Sequence, residues 1–133
     1  MATRRANVLG LGLIGGSLAL ALKKNGFSVS GSDANSETEK LALEREIISA
    51  IGIDADAEIS FVATPVTAIP AQVQLALKKT KGIVSDVGGV KASVVESISD
   101  PRFVGGHPMA GSELAGLDGA DESLFEGAVW VLT

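Results

Sequence analysis

The stretch Val8-Leu9-Gly10-Leu11-Gly12-Leu13-Ile14-Gly15-Gly16-Ser17 decides how this chain folds. It joins a short apolar run, residues 6–9, to an Ala-rich apolar segment through a Gly-x-Gly-x-x-Gly turn. A strand, a glycine turn and a helix in that order are the fingerprint of a dinucleotide-binding site. Gly10 would permit the tight turn, Gly12 the approach of a pyrophosphate to the backbone, and Gly15 the close packing of helix on strand. The pyrophosphate would rest on the unpaired N–H groups at the helix N-terminus.

An acidic residue follows the turn at the spacing expected for a ribose contact. Residues 28–32 have the pattern of a second strand, and Asp33 ends it, 18 positions after Gly15. The fingerprint places an acid about 20 residues after the glycines. The Asp33 carboxylate would accept hydrogen bonds from the adenosine ribose and repel a 2′-phosphate, so the sequence predicts NAD rather than NADP. The alternative is a glycine loop that binds nothing, with Asp33 as a surface turn residue.

Composition limits the class of protein. A chain of 133 residues with 46% hydrophobic content predicts one domain with a core. The net charge of −5 argues against a nucleic-acid-binding surface. With no cysteine and one histidine, we expect no disulfide and no metal site. No apolar run approaches the 18 residues of a membrane span, so the sequence predicts no membrane segment and favours a reduced, cytoplasmic setting.

Predicted strands and helices alternate along the chain. A capping box, Ser36-x-x-Glu39, predicts the start of a second helix that reaches about Arg45. Residues 46–58 are ambiguous, because their isoleucines could form a short third strand with little room for a helix after it. The remaining predicted strands are residues 59–64, 82–86, 102–107 and 128–132, and the other helices lie near 13–24, 69–81 and 90–98. This alternation predicts a Rossmann-type α/β fold with an open, doubly wound, mostly parallel sheet.

Ligands on such a sheet bind beyond the carboxyl ends of the strands. Thr64-Pro65 would pass under the bridge between adenosine and nicotinamide, or would simply end a strand. Asp86 could orient the nicotinamide amide or a substrate carboxylate, or it could cap the helix that follows. The predicted cofactor contacts are Gly10, Leu11, Gly12, Leu13, Ile14, Gly15, Asp33, Thr64, Pro65, Asp86 and Gly88.

The only histidine, His107, ends a predicted strand at the same edge as the glycine turn. Its side chain titrates near neutrality, so it could take a proton from a hydroxyl group while a hydride leaves the substrate. A hydrogen-bonded structural histidine is the alternative. Ser112 lies in a glycine-rich loop, residues 108–119, where it could donate a hydrogen bond to a substrate or only be solvated.

Five blocks of the sequence carry a resemblance to a known family. They are residues 10–19, Val62-Ala-Thr-Pro-Val66, Asp86-Val-Gly-Gly-Val-Lys91, Phe103-Val-Gly-Gly-His-Pro-Met-Ala-Gly-Ser-Glu113 and the tail 116–133. Together these blocks resemble the prephenate/arogenate dehydrogenase family. The resemblance implies NAD-dependent oxidative decarboxylation of prephenate or arogenate to 4-hydroxyphenylpyruvate or tyrosine, in tyrosine biosynthesis. It also implies that His107 is the catalytic residue, which polarises the ring hydroxyl, and that Ser112 lies near the substrate.

Two departures from the family pattern qualify this resemblance. Family members usually read Asp-x-Gly-Ser-x-Lys, and Gly89 stands where that serine contacts nicotinamide or substrate. The lost hydroxyl removes a hydrogen bond worth about 0.5–1.5 kcal/mol. The family also carries a C-terminal helical domain that supplies dimer contacts and substrate-binding arginines, whereas this sequence stops at Thr133. We therefore expect residues 1–133 to be the dinucleotide-binding domain of a longer homodimeric enzyme, with little turnover alone. A non-catalytic NAD-sensing module and another Rossmann reductase remain as alternatives.

Overall fold

The structure, a computed structural model, describes residues 4–87, 100–108 and 130–132. The strands are β1 (Arg4–Leu9), β2 (Phe27–Ser32), β3 (Ala50–Ile51), β4 (Ile59–Val62), β5 (Ile83–Asp86), β6 (Phe103–Pro108) and β7 (Trp130–Leu132). The helices are α1 (Leu13–Lys24), α2 (Ser36–Glu44) and α3 (Ile69–Lys79), with a 3₁₀ turn at Val66–Ala68 before α3.

The described strands form one sheet in the order β3-β2-β1-β4-β5-β6-β7. The strands β1 to β6 pair in parallel, and β7 pairs antiparallel with β6. Chain order runs outward from β1 to β3 on one side and from β4 to β7 on the other. The boundary between β1 and β4 is therefore the topological switch point of a doubly wound sheet. The predicted Rossmann-type fold is confirmed.

Strand β1 separates two apolar cores, because successive side chains of a strand point to opposite faces. Val8 packs in a cluster with Ala19 of α1 and Ala42 of α2. Leu9 packs on the other face with Val73 and Leu77 of α3. Helices thus cover both faces, which accounts for the aliphatic composition of the strands. No helix within the described residues has the length and apolar character needed to cross a membrane.

A buried asparagine in β1 holds the connection between β3 and β4. Asn7 is fully buried, its Nδ2 donates to the carbonyl oxygen of Asp54 at 2.9 Å, and its Oδ1 accepts the Asp54 N–H at 2.7 Å. Arg5 donates to both oxygens of the Asp54 carboxylate, at 2.6 and 2.8 Å. Residues 52–58 pass from β3 to β4 without a helix. The short third strand expected within residues 46–58 is present, as Ala50–Ile51.

The predicted capping box is wrong, because Asn35 and not Ser36 caps α2. The Oδ1 atom of Asn35 accepts the N–H groups of Glu37 at 2.9 Å and Thr38 at 3.4 Å. Asn35 has an extended backbone (φ −95°, ψ 111°), as a cap requires, whereas Ser36 is already helical. The carboxylate of Glu39 instead accepts the N–H of Asp33 at 3.1 Å.

Other element boundaries lie close to their predicted positions. The helices α1 and α3 begin at Leu13 and Ile69, as predicted. Strand β4 ends at Val62, two residues earlier than expected, and the Ala63 N–H still donates to the carbonyl oxygen of Leu9 at 2.7 Å. The predicted short helix at 90–98 and most of the predicted loop 108–119 lie outside the described residues.

Arg102 fastens the amino end of β6 to the end of α3. Its guanidinium donates to the carbonyl oxygens of Leu77 at 2.6 Å and Thr80 at 2.7 Å. A cation is favoured there because the last carbonyl groups of a helix carry partial negative charge. The Arg102 N–H also donates to the Asp100 carboxylate at 2.8 Å and lowers the pKa of Asp100.

The glycine turn is pressed against the end of β4. Gly10 has a φ of +98°, and a Cβ there would lie 2.6 Å from the carbonyl oxygen of Ala63. A Cβ at Gly15 would lie 1.7 Å from the carbonyl oxygen of Gly10. The tight turn predicted for Gly10 and the close helix packing predicted for Gly15 are therefore confirmed.

Substitution of Gly15 by alanine is expected to destabilise the fold. The added Cβ would collide with the backbone of Gly10, which cannot move without opening the turn. We expect Gly15→Ala to lower the free energy of unfolding, measured in urea, by about 1–3 kcal/mol or more. Gly12→Ala is the matched control, because a Cβ there has nothing within 4 Å and should cost less than about 1 kcal/mol. Equal stability of the two variants would contradict this packing.

Candidate functional site

A crevice of about 800 Å³ opens at the switch point. A volume of this size is typical of small-molecule sites. Its lining comes from three connections that follow β1, β2 and β4. These residues are Gly10, Gly12, Leu13, Ile14, Ser32, Asp33, Ala34, Ala63, Thr64, Pro65, Thr67, Ala68 and Gln72. The structure thus brings together, around one space, seven of the predicted cofactor contacts.

The N-terminus of α1 meets this crevice with an open end. Gly12 occupies the N-cap position, and no side chain there accepts a hydrogen bond from the first amide groups of the helix. The first turn of α1 carries no acidic residue. The helix bond from the Gly16 N–H to the Gly12 carbonyl oxygen, at 2.8 Å, leaves the earlier amide groups without that type of partner. Such amide groups carry partial positive charge and bind phosphates. Because Gly12 has no Cβ, the approach to them stays unobstructed.

Asp33 borders the crevice and also holds the glycine turn. Its Oδ2 accepts the N–H of Leu11 at 2.8 Å, and its Oδ1 accepts the N–H of Asn35 at 2.9 Å. The carboxylate therefore ties the β1–α1 turn to the β2–α2 turn. Each carboxylate oxygen has a second lone pair, so hydrogen bonds from ribose hydroxyls are still possible. The spacing in the sequence indicated the ligand contact but not this tie within the protein.

Three polar side chains line the crevice on its β4 side. The hydroxyl oxygen of Thr64 is buried and has no hydrogen-bond partner within the described part of the chain. An unpaired buried hydroxyl costs about 1–3 kcal/mol, which a polar atom of a ligand would recover. Gln72, in the first turns of α3, also lines the crevice, as does Thr67. Sequence reasoning missed Gln72 and Thr67. Thr67 lies in the connection that follows β4, which was a signal, whereas Gln72 lies within α3, where no such signal was present.

Strand register places His107 at the same edge of the sheet as the glycine turn. Leu9 pairs with Val62, Val62 with Asp86, and Asp86 with Gly105. His107 lies two residues beyond Gly105 in β6, just as the glycine turn lies beyond Leu9 in β1. The two strands β4 and β5 separate β6 from β1. The predicted edge agrees with this register, and the catalytic role of His107 stays a prediction.

Some predicted contacts do not border the crevice. Leu11 and Asp86 are fully buried, and Gly15 packs on Gly10. Gly88, Gly89 and Ser112 lie outside the described residues, so the roles predicted for them stay predictions. Across the described ranges, no group of three His, Cys, Asp or Glu side chains is placed to hold a metal ion.

Removal of the Asp33 carboxylate is expected to loosen the glycine turn even without a ligand. Asp33→Ala deprives the Leu11 N–H of its acceptor, and a hydrogen bond to a charged group is worth about 1.5–3 kcal/mol. We expect faster hydrogen exchange at the Leu11 amide, measured by NMR. Asp56→Ala, at an exposed acid outside this turn, is the control. Unchanged exchange at Leu11 in the Asp33 variant would show that the bond does not hold the turn.

Comparison with known sequences relates the chain to one family. Residues 18–133 match the family model described as "Prephenate dehydrogenase, nucleotide-binding domain". The prephenate dehydrogenase of Bacillus subtilis (strain 168) is 40% identical to this chain, in an alignment that covers 93% of this chain and 38% of that protein.

Comparison with solved structures gives the same relationship. Arogenate dehydrogenase from Synechocystis superposes with a TM-score of 0.86 and 36% identity, over 97% of this chain and 49% of that one. Prephenate dehydrogenase from A. aeolicus, in complex with hydroxyphenyl propionate and NAD+, superposes with a TM-score of 0.89 and 27% identity, over 100% of this chain and 51% of that one. The chain thus spans about half the length of these two solved structures and 38% of the length of the Bacillus subtilis relative. The predicted family is confirmed: the chain belongs to the prephenate dehydrogenase family and matches its nucleotide-binding domain.

Proposed function

We propose that this chain binds NAD in the crevice at the switch point, as the nucleotide-binding domain of a prephenate or arogenate dehydrogenase. The observation that carries the proposal is one crevice bordered by both an acid-free helix N-terminus and the Asp33 carboxylate. The first suits a pyrophosphate, and the second suits the hydroxyl groups of a ribose. A relative whose structure was solved with NAD+ superposes on the whole chain, which supports the same ligand.

Each part of NAD would have its own group of residues along the crevice. The amide groups that follow Gly12 would hold the pyrophosphate, and Asp33 would hold the adenosine ribose. The unpaired Thr64 hydroxyl would donate to, or accept from, a polar atom of the cofactor. The adenine would lie between the β2–α2 turn and the start of α3, where Gln72 offers an amide group.

Bound NAD would supply the hydride acceptor for oxidative decarboxylation. His107 would accept a hydrogen bond from the ring hydroxyl of prephenate or arogenate and take its proton. A histidine suits this task because its ordinary pKa of about 6.5 lies near neutrality. General base catalysis of this kind contributes roughly 10²- to 10⁴-fold to the rate. Ser112 and the chain at Gly89 would contact the substrate, and the products would be CO2, NADH and either 4-hydroxyphenylpyruvate or tyrosine.

The rest of the proposal concerns the longer protein. The chain spans 38% of the Bacillus subtilis relative, so we propose that substrate-binding arginines and the homodimer interface come from a further domain. On this view the 133-residue chain alone binds NAD but turns over prephenate poorly. The longer protein would act in tyrosine biosynthesis in the cytoplasm. Gly89, in place of the usual serine, favours one alternative, a nucleotide-sensing module without catalysis.

Binding of NAD+ to the 133-residue chain tests the cofactor site directly. We expect saturable binding by isothermal titration calorimetry. Gly12→Ala should weaken it about tenfold or more, because the new Cβ would project into the space beside the helix N-terminus. The unfolding midpoint of the same variant is the control for its fold. Absence of NAD+ binding by the unsubstituted chain would refute the proposed site.

Replacement of His107 by asparagine tests the chemistry in the longer protein that carries this chain. We expect the turnover number to fall by about 10²- to 10⁴-fold while the affinity for NAD+ stays within about twofold. NADH formation with prephenate and with arogenate provides the measurement. Turnover that survives the substitution would exclude His107 as the base. No turnover in the unsubstituted protein would favour the sensing module.

A further inference from the structure

Two helix N-termini at the same edge of the sheet have opposite chemistry. The strands β1 and β2 are parallel neighbours, so the turns that follow them open at one edge. The α1 N-terminus has neither an acidic residue nor a side-chain cap. The α2 N-terminus has Asn35 as a cap and both Glu37 and Glu39 in its first turn. Only the first of these two ends is therefore arranged to accept a phosphate.

The amide groups of the β2–α2 turn are largely occupied by the turn itself. The Asp33 N–H donates to Glu39 Oε2 at 3.1 Å, and the Asn35 N–H donates to Asp33 Oδ1 at 2.9 Å. The N–H groups of Glu37 and Thr38 donate to Asn35 Oδ1 at 2.9 and 3.4 Å. A phosphate at this turn would have to displace these acceptors before it could bind those amide groups.

The charge of the turn also opposes an anion. Residues 33–39 contain no lysine or arginine, and the carboxylates of Asp33 and Glu39 both accept hydrogen bonds from the backbone of the turn. The nearest cation along the chain, Lys40, lies 4.0 Å from the exposed Glu37 carboxylate rather than beside Asp33. Phosphate recognition ordinarily uses Arg or Lys side chains together with amide groups, and residues 33–39 contain neither of these two side chains.

On the basis of the proposed NAD function, we propose that Glu39 is a second specificity-determining residue, which acts with Asp33 to exclude NADP. NADP differs from NAD by a phosphate on the 2′-oxygen of the adenosine ribose, the group assigned above to Asp33. Glu39 occupies the Asp33 N–H that this phosphate would otherwise reach, and its carboxylate adds a negative charge beside the ribose. The dinucleotide fingerprint includes only the acid at the end of β2, so it does not indicate a residue six positions further on.

Two substitutions separate the charge of Glu39 from its hydrogen bond. Glu39→Gln retains an oxygen that accepts the Asp33 N–H but removes the charge. Glu39→Ala removes both and frees the amide group for a phosphate. We expect the ratio of the NADP to the NAD dissociation constant to fall about three- to tenfold in the glutamine variant, and further in the alanine variant. The dissociation constant for NAD should stay within about twofold of that of the unsubstituted chain.

ADP-ribose and its 2′-phosphorylated form are the probes, because they isolate the adenosine half of the site from the nicotinamide chemistry. Both are titrated into the 133-residue chain and its variants by calorimetry. Glu37→Gln is the matched control, since it removes the same charge from the same helical turn, while its side chain is 83% exposed and faces Lys40. It should leave the ratio unchanged. High salt should bring the ratio of dissociation constants of the unsubstituted chain closer to that of Glu39→Gln, because ions screen the repulsion between the Glu39 carboxylate and the 2′-phosphate.

The outcomes distinguish this inference from the proposed function. If ADP-ribose binds and the ratio falls as expected in both Glu39 variants but not in Glu37→Gln, the inference is supported. If ADP-ribose binds but neither Glu39 variant changes the ratio, Glu39 has no such role and the proposed function stands. If the Glu39 variants bind both probes more weakly by the same factor, Glu39 has a purely structural role and the inference is overturned. If neither probe nor NAD+ binds the unsubstituted chain, the proposed function itself fails.

Discussion

The close approach of two turns at the switch point is the constraint on which the rest of this structure depends. Gly10 leaves no room for a side chain between the β1–α1 turn and the backbone after β4, and Gly15 leaves none between α1 and the carbonyl group of Gly10. Because the contacts are between main-chain atoms, the turn cannot shift without disrupting the sheet edge. The first residues of α1 are therefore held in a fixed place beside the crevice. A preorganised set of amide groups binds an anion with less loss of conformational freedom than a mobile loop would.

The electrostatic pattern of the edge follows from this arrangement. The α1 end offers partial positive charge, and the adjacent β2–α2 turn offers carboxylates whose oxygens are already engaged with backbone amides. A ligand that fits both must carry its negative charge in the middle and hydroxyl groups at the neighbouring position. A dinucleotide without a 2′-phosphate has this distribution. The match lies in the order of the charges along the crevice, which no single residue specifies.

Sequence reasoning succeeded where the determinants are local. The bounds of α1, the conformation of Gly10 and the packing of Gly15 all follow from one continuous stretch of glycine and aliphatic residues. The cap of α2 was assigned one residue too late, because Asn35 and Ser36 are comparably good capping residues and the backbone alone decides between them. Local patterns therefore located the elements well and their ends less well.

The interactions that shape the candidate site depend on contacts that spacing does not encode. The bond from Leu11 to Asp33 joins residues 22 apart, and it exists only once β1 and β2 are paired. Gln72 lines the crevice from α3, ten residues after the end of β4, because α3 packs beside β4. Asn7 is buried in β1, but its partner Asp54 lies 47 positions away, so spacing in the sequence does not indicate this contact.

The bond between Asp33 and the Leu11 amide has a consequence for how this lineage could evolve. A switch of cofactor preference is often pictured as the exchange of one surface residue. Here that exchange would also remove the acceptor of the Leu11 amide, in the turn that we propose to hold the pyrophosphate. Mutations in contact with one another are rarely additive, so such a change would require an earlier compensating substitution nearby. A substitution at Asp33 is therefore expected to change the stability of the glycine turn together with the preference for a nucleotide.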